Sequence, residues 1–248
     1  MAITINTVGI TVEEYQQELT RLQQAQTQLG ISSTPEEQKQ KLIDDFTNQL
    51  LLEQGAIQGG FILDDAPLQA RIDALASTLG GQDKLTAWES ANSYTVDTFR
   101  EAMRRSIAVA WQRDQIANSV PTTAEQVHVR QILVQTESTA NDLLAQIKAG
   151  ADFATLALLY DPVTGGDLGW FPQGYLTQPE VEAAAFALQP GQTSEIIKSA
   201  IGYHILYMIE RDPQHELSPD ARRVLQEKKL TEWLDAARTA SQIVINVP

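Results

Sequence analysis

The amino-acid sequence changes character twice along the chain, and these two changes constrain the fold more than any other feature. Over the first 120 or so residues, apolar side chains recur at helical spacing and the pattern predicts little strand. After Pro121, strand-like runs alternate with helical runs as far as Asp212, and one long helical pattern follows. A chain that is helical at both ends and mixed in the middle indicates an α+β fold with an inserted domain.

Local signals place the boundaries of the elements. Thr11 and Glu14 have the spacing of a capping box, and Gly30 is placed to end the helix that follows. The helices predicted outside the middle region cover residues 12–29, 35–55, 67–78, 83–91, from 95 onward, and 219–239. The middle region is predicted to contain strands at residues 127–134, 168–171, 195–198 and 203–210, and helices at 138–149, 153–160 and 179–188.

The two ends of the chain resemble each other as short strands. Residues 3–6 read Ile-Thr-Ile-Asn, and residues 243–246 read Ile-Val-Ile-Asn. An isolated strand leaves its backbone polar groups unpaired, so we predict that these two strands pair with each other. The alternative is that both are frayed ends. Pairing predicts a discontinuous, mainly helical, chaperone-like domain made of residues 1–122 and 213–248, with residues 123–212 inserted as a second domain.

Composition excludes several classes of function. The 18 basic and 32 acidic side chains give a net charge of −14, which disfavours a nucleic-acid binder because such a surface repels phosphate. The absence of cysteine excludes disulfides and thiolate chemistry. The three histidines lack the spacing of metal ligands, so no metal site is predicted, and His215 is expected to be solvated in a polar linker. The first residues contain no charged and apolar leader pattern, so no signal peptide is predicted in them.

An ordered set of motifs distinguishes the middle region. The stretch Gly-Gly-Asp-Leu-Gly-Trp-Phe at residues 165–171 follows Val-His-Val-Arg-Gln-Ile-Leu-Val at 127–134. Ala-Phe-Ala-Leu at 185–188 and Gly-Tyr-His-Ile at 202–205 come later. In this order and over this length, the set resembles the parvulin family of peptidyl-prolyl cis-trans isomerases. The flanking helices are similar to those of the SurA and PrsA group of foldases and chaperones.

The resemblance implies a parvulin domain, a four-stranded antiparallel sheet flanked by helices, that rotates X–Pro peptide bonds. The barrier to this rotation is about 18–20 kcal/mol, and no cofactor or metal is required to lower it. The implied partners are unfolded or proline-containing polypeptides. The implied location is extracytoplasmic, with any leader or anchor lying outside this sequence, while a cytoplasmic location stays open and no oligomeric state is indicated.

The resemblance also implies the residues of the site. The expected catalytic residues are Gln131, Asp161 and His204. The expected substrate-binding residues are Leu133, Trp170, Leu176, Thr177, Val181 and Phe186.

This sequence departs from the family pattern at three places in the expected site. Gln131 stands where the family usually has a histidine, Val181 stands at the position of a phenylalanine, and the loop at residues 161–164 is short. These departures predict weak or absent isomerase activity. The alternative function is a non-catalytic chaperone that uses the parvulin domain only to bind peptides, and a helical scaffold without clients is a third possibility.

Overall fold

The computed structural model describes residues 1–247. Within them the helices are α1 (Val12–Leu29), α2 (Pro35–Gln58), α3 (Asp65–Leu79), α4 (Gln82–Ala91), α5 (Val96–Asn118), α6 (Glu137–Lys148), α7 (Phe153–Tyr160), α8 (Pro179–Ala187) and α9 (Pro219–Thr239). The strands are β1 (Ile3–Ile5), β2 (Val8–Ile10), β3 (Thr123–Val134), β4 (Asp167–Pro172), β5 (Ile197–Ser199), β6 (Gly202–Glu216) and β7 (Ile243–Ile245). The fold is α+β, as the alternation of patterns predicts.

The chain divides into two compact units. The helical unit contains residues 1–117 and 230–248, and the central unit contains residues 118–229. The boundaries expected from sequence, at 122 and 213, lie within the central unit. The reason is that the first turns of α9 pack there, where Ala221 and Leu225 join a small apolar cluster with Val120 and Leu217.

A three-stranded antiparallel sheet in the order β2-β1-β7 ties together the two ends of the helical unit. Ile3 pairs with Ile245, and Ile5 pairs with Ile243. Both Ile3 and Ile5 are fully buried. The predicted pairing of the first and last strands is confirmed, and it satisfies backbone groups that either strand alone would leave unpaired.

Helix capping and close packing stabilise the helical unit. The side chain of Thr11 accepts a hydrogen bond from the Glu14 N–H, and the Glu14 carboxylate accepts one from the Thr11 N–H at 2.8 Å, so the capping box is formed. Gly55 in α2 faces the indole of Trp233 so closely that a methyl group at residue 55 would overlap the ring. Packing this close makes the second half of α9 part of the core of the helical unit.

The central unit is built on a four-stranded antiparallel sheet in the order β4-β3-β6-β5, which confirms the predicted architecture. Helices α6 and α7 cover one face of the sheet, and α8 covers the other. The buried residues on the α6 and α7 side are Ile132, Val134, Ala140, Leu143, Leu144, Phe153, Leu156, Ala157 and Ile205. Those on the α8 side are Val127, Val129, Phe171, Val181, Ala185, Leu206 and Met208.

The two long strands extend further than the sequence predicts. β3 begins at Thr123 and β6 ends at Glu216, and their pairing continues through two bulges. The prediction that His215 lies in a solvated linker is therefore wrong. The residue lies opposite Ala124 in the sheet. Its ring stacks on Trp170 with 4.2 Å between the centroids. The polar composition of residues 212–216 does not predict a strand, because the strand forms through pairing with residues 123–126, which are distant in sequence.

Candidate functional site

His204 is a deeply buried polar side chain of the central sheet, with only 1% of its surface exposed. Its Nδ1 atom lies 3.1 Å from Oε1 of Gln131 on β3. Its Nε2 atom lies 2.7 Å from Oγ of Ser199 on β5. Three neighbouring strands thus contribute one side chain each to a continuous hydrogen-bonded chain, Gln131–His204–Ser199.

The partners of His204 determine which ring nitrogen carries the proton. The Gln131 oxygen is an acceptor, so Nδ1 donates to it, and the Ser199 hydroxyl donates to Nε2. Ser199 Oγ in turn accepts a hydrogen bond from the Ile201 N–H at 3.1 Å. Burial lowers the pKa of His204 below its ordinary value, and the nearby carboxylate of Glu180 opposes this only in part. The imidazole is therefore held neutral in a single tautomer.

Stability should fall at mildly acidic pH because of this buried, neutral imidazole. In the unfolded chain His204 titrates near pH 6.5, whereas in the folded chain its pKa is lower. Below about pH 6.5 the unfolded state consequently binds more protons, and the free energy of unfolding decreases as the pH falls. Urea unfolding at pH 7.5 and at pH 5.0 measures the effect. In His204→Gln, which has no titrating ring, we expect a smaller difference between the two pH values, and an equal difference would contradict the assignment.

The strand register places three of the expected site residues on one face of the sheet. Gln131 is the cross-strand partner of Leu206, and Leu133 is the partner of His204. Cross-strand partners point to the same face, and Leu206 belongs to the apolar cluster beneath α8. Gln131, Leu133 and His204 therefore all face the α8 side.

Helix α8 and the segment before it supply apolar side chains on that same side. Val181 is almost fully buried, and Leu176 packs against the same cluster, whereas Thr177 is exposed. Phe186 meets Phe171 edge to face, with 6.1 Å between the ring centroids. These residues form an apolar wall on this face of the sheet, beside the hydrogen-bonded side chains of Gln131, His204 and Ser199.

The Gly-Gly turn lies directly against the backbone of Gln131. The Gln131 N–H donates to the Gly166 carbonyl at 2.8 Å. Gly166 has φ +72°, and a Cβ atom added to it would lie 1.9 Å from the Gln131 carbonyl oxygen. Only glycine fits this position, because both the left-handed conformation and the close approach exclude a side chain.

Asp161 lies at the C-terminal end of α7, and its carboxylate is engaged within its own turn. It accepts hydrogen bonds from the N–H groups of Val163 and Thr164, both at 3.1 Å, and from the Thr164 hydroxyl. The Thr164 hydroxyl and these N–H groups hold the pKa of Asp161 below its usual value. The geometry thus gives Asp161 the role of shaping the loop that leads to Gly166.

Trp170 is not among the residues that the structure brings together around His204. Its neighbour Phe171 points into the α8-side cluster, so Trp170 points to the opposite face of β4. There it stacks on His215 and lies next to His128, which pairs with Asp167 at 2.8 Å. Strand alternation thus places Trp170 on the face of the sheet opposite His204, and substrate binding by Trp170 stays a prediction. The same alternation keeps His128 away from Gln131, as expected.

Comparison with known families identifies the central region. The profile of the rotamase family, described as the PPIC-type PPIase domain, matches residues 109–210. The matched range contains the Gly-Gly turn, β3 and His204. This segment is a parvulin-type domain.

Relatives of the parvulin domain are foldases and chaperones by name. The foldase protein PrsA of Geobacillus sp. (strain WCH70) is 34% identical over 125 residues, which cover 47% of this chain and 44% of the relative. The chaperone SurA of Methylobacillus flagellatus is 30% identical over 222 residues, 73% of this chain and 50% of the relative. This chain spans half or less of the length of these curated relatives.

A solved structure shares the fold beyond the parvulin domain. The crystal structure of the peptidylprolyl isomerase PrsA from Bacillus cereus matches with a TM-score of 0.51 and 23% sequence identity. The match covers 85% of this chain and 84% of that one. At this identity the likeness concerns the fold alone.

Sequence reasoning missed Ser199 in the parvulin domain. The residue lies in a three-residue strand, β5, and neither its type nor its spacing marks it. The structure brings Ser199 opposite Gly202, at the tight connection between β5 and β6, and this pairing places its side chain beside His204. Among residues 1–247, no group of three or more potential ligand side chains is arranged to hold a metal ion.

Proposed function

We propose that this chain is a foldase of the peptidyl-prolyl isomerase class, acting on unfolded or proline-containing polypeptides with weak isomerase activity. The observation that carries the proposal is the Gln131–His204–Ser199 chain, centred on the buried His204 and facing the apolar side chains of α8 within a parvulin-type domain. The proposed catalytic residues are Gln131 and His204. Asp161 acts through the shape of the Gly-Gly loop.

The chemistry requires no bond to be made or broken. Rotation about the prolyl amide passes through a twisted state that has lost its resonance, and an apolar surface favours this state by removing water from the amide. Leu176, Val181 and Phe186 are proposed to hold the proline ring, and Leu133 and Thr177 the adjacent chain. The neutral, oriented imidazole of His204 keeps the floor of the site rigid because both its nitrogens are bonded.

Exposed apolar side chains next to the turn support binding of unfolded chains. Leu158, Leu159, Tyr160 and Val163 lie on α7 and the loop after it, and between 45% and 90% of each side chain is accessible. Leu158 packs against Gly165, directly before the residue that bonds to Gln131. An apolar patch beside the Gly-Gly turn suits an extended polypeptide with apolar residues near its proline.

The decisive test is isomerisation of a proline peptide, measured by protease-coupled assay or exchange spectroscopy. We expect low activity in the wild-type chain and about a tenfold gain in Gln131→His, equivalent to roughly 1.4 kcal/mol of barrier. The substitution restores the imidazole that family members carry beside the second histidine.

Gln135→His is the matched control, because Gln135 is an exposed residue just after the same strand. It should leave the activity unchanged. High wild-type activity that falls in His204→Ala would contradict the expectation of a weak enzyme. No activity in either the wild-type chain or Gln131→His would overturn the isomerase proposal in favour of peptide binding alone.

The helical unit is proposed to act as a chaperone-like domain. The domains proposed from the sequence, residues 1–122 with 213–248 and residues 123–212, differ from the compact units only in assigning residues 118–122 and 213–229 to the helical domain. A cleft of about 370 Å³ in this unit is lined by side chains of α1, α2 and α5, including Arg21, Phe46 and Arg105. An extracytoplasmic location is proposed from the names of the relatives. No helix within residues 1–247 has the length and apolar character needed to cross a bilayer.

A further inference from the structure

The segment between β4 and α8 forms part of the proposed substrate pocket without regular structure of its own. Residues 173–178 connect Pro172 to Pro179, and they contain Leu176 and Thr177. An irregular segment of this kind has backbone groups with no partner in a sheet or helix. Its conformation therefore depends on contacts made from outside the segment.

Glu182 on α8 provides these contacts with a single carboxylate. Its Oε1 accepts a hydrogen bond from the Gly174 N–H at 2.7 Å. Its Oε2 accepts two more, from the N–H groups of Tyr175 and Leu176, each at 2.9 Å. Three successive backbone donors thus converge on one side chain, and the left-handed conformation of Gly174, with φ +87°, turns the backbone so that they can do so.

We propose that Glu182 is a positioning residue for the isomerase site, since it holds the pocket segment against α8. The inference rests on the proposed function and adds a determinant of substrate affinity to it. Glu182 lies one residue from Val181 and bonds the backbone of Leu176, so it sets the distance between these two apolar residues of the pocket. It acts through these residues and does not contact the substrate.

The chemistry of the contact makes the charge of Glu182 essential. A carboxylate presents only acceptors, which matches three N–H donors, and hydrogen bonds to a charged acceptor are the stronger kind. In Glu182→Gln, the amide NH₂ group would face a backbone N–H, and one or two of the three bonds would be lost. Leu176 would then leave its place beside Val181.

The position of Glu182 predicts a specific kinetic signature. The pocket segment contacts the proline side of the substrate both before and during rotation, so loosening it weakens binding in both states. Glu182 bonds to Gly174, Tyr175 and Leu176, whereas His204 bonds to Gln131 and Ser199, so the Gln131–His204–Ser199 chain keeps its geometry when Glu182 is replaced. We therefore expect KM to rise about five- to tenfold in Glu182→Gln and Glu182→Ala, with kcat changed less than twofold.

The experiment compares these two variants with Glu210→Gln, the same chemical change at an exposed glutamate of β6 in the same unit. Steady-state isomerisation gives kcat and KM for a short peptide with leucine before proline. NMR titration with the same peptide gives the dissociation constant independently of turnover. In the spectra of the free proteins, the amide signals of Gly174, Tyr175 and Leu176 should shift in both Glu182 variants and not in Glu210→Gln.

The possible outcomes distinguish the role of Glu182 from the proposed isomerase function. Unchanged KM and dissociation constant in both Glu182 variants, with a wild-type chain that binds the peptide, would overturn the role of Glu182 alone. The role of Glu182 would also be overturned if KM stayed unchanged and kcat fell in proportion to the fraction of folded protein, as determined by urea unfolding. Glu182 would then only stabilise the fold. A wild-type chain that neither binds nor isomerises the peptide would overturn both proposals.

Discussion

Gly166→Ala should destabilise the central unit by roughly 3–5 kcal/mol, one of the largest effects expected for a single methyl group in this chain. The added Cβ would lie 1.9 Å from the carbonyl oxygen of Gln131, a backbone atom that cannot move aside without breaking the β3 ladder. Urea unfolding followed by the fluorescence of Trp170, with the other tryptophans replaced, measures the change.

Gly169→Ala is the matched control for this experiment. Gly169 has nearly the same backbone conformation, with φ +66° compared with +72°, but no atom lies within 4 Å of its Cβ position. Its substitution should cost only the penalty of the left-handed conformation, about 1–2 kcal/mol. Equal losses in the two variants would show that the collision with Gln131 is relieved and that the turn is not tightly held.

His204→Leu should lower the free energy of unfolding by roughly 2–4 kcal/mol and abolish any isomerase activity. Leucine fills a similar space in the buried His204 position but removes the hydrogen-bond partner of the partly buried Gln131 amide and Ser199 hydroxyl, and each lost bond of this kind costs about 1–3 kcal/mol. Leucine also removes the only titrating group of the hydrogen-bonded chain.

A double-mutant cycle with Ser199→Ala tests whether the three side chains act together. The double variant should be more stable than the sum of the single losses predicts, by about 1 kcal/mol or more, because the bond between Ser199 and His204 can be lost only once. His128→Leu is the control, since His128 is partly exposed and pairs with Asp167 on the other face of the sheet. It should cost less than about 1 kcal/mol. Additive losses in the cycle would show that Ser199 and His204 are not coupled.

The sequence predicts most of the fold because the relevant signals are local. Thr11 and Glu14 are three residues apart and predict a capping box, which the structure contains. The pairing of the two end strands is also predictable, because a short strand left alone would have unpaired backbone groups. Strand length is less predictable, because β6 continues to Glu216 by pairing with the first residues of β3, which lie far away in the sequence.

The candidate site is harder to derive than the fold, because it depends on which face each side chain occupies. The bond between Gln131 and His204 spans 73 residues, and it was anticipated only through the resemblance to parvulins. Trp170 was assigned to the site because it belongs to the motif, but its position in β4 turns it to the other face. Ser199 and Glu182 have no motif, and their roles follow from backbone geometry that only the folded chain provides.

The pairing of β1 with β7 has a consequence for folding during synthesis. All contacts within the central unit lie between residues 118 and 229, so this unit can fold as soon as that segment has emerged from the ribosome. The helical unit contains residues 1–117, which are made before the central unit, yet its small sheet stays incomplete until residues 243–245 have been added. The central unit should therefore finish folding before the helical unit, although α1 to α5 are synthesised first. Those helices stay partly exposed until the inserted domain has folded and β7 has been made.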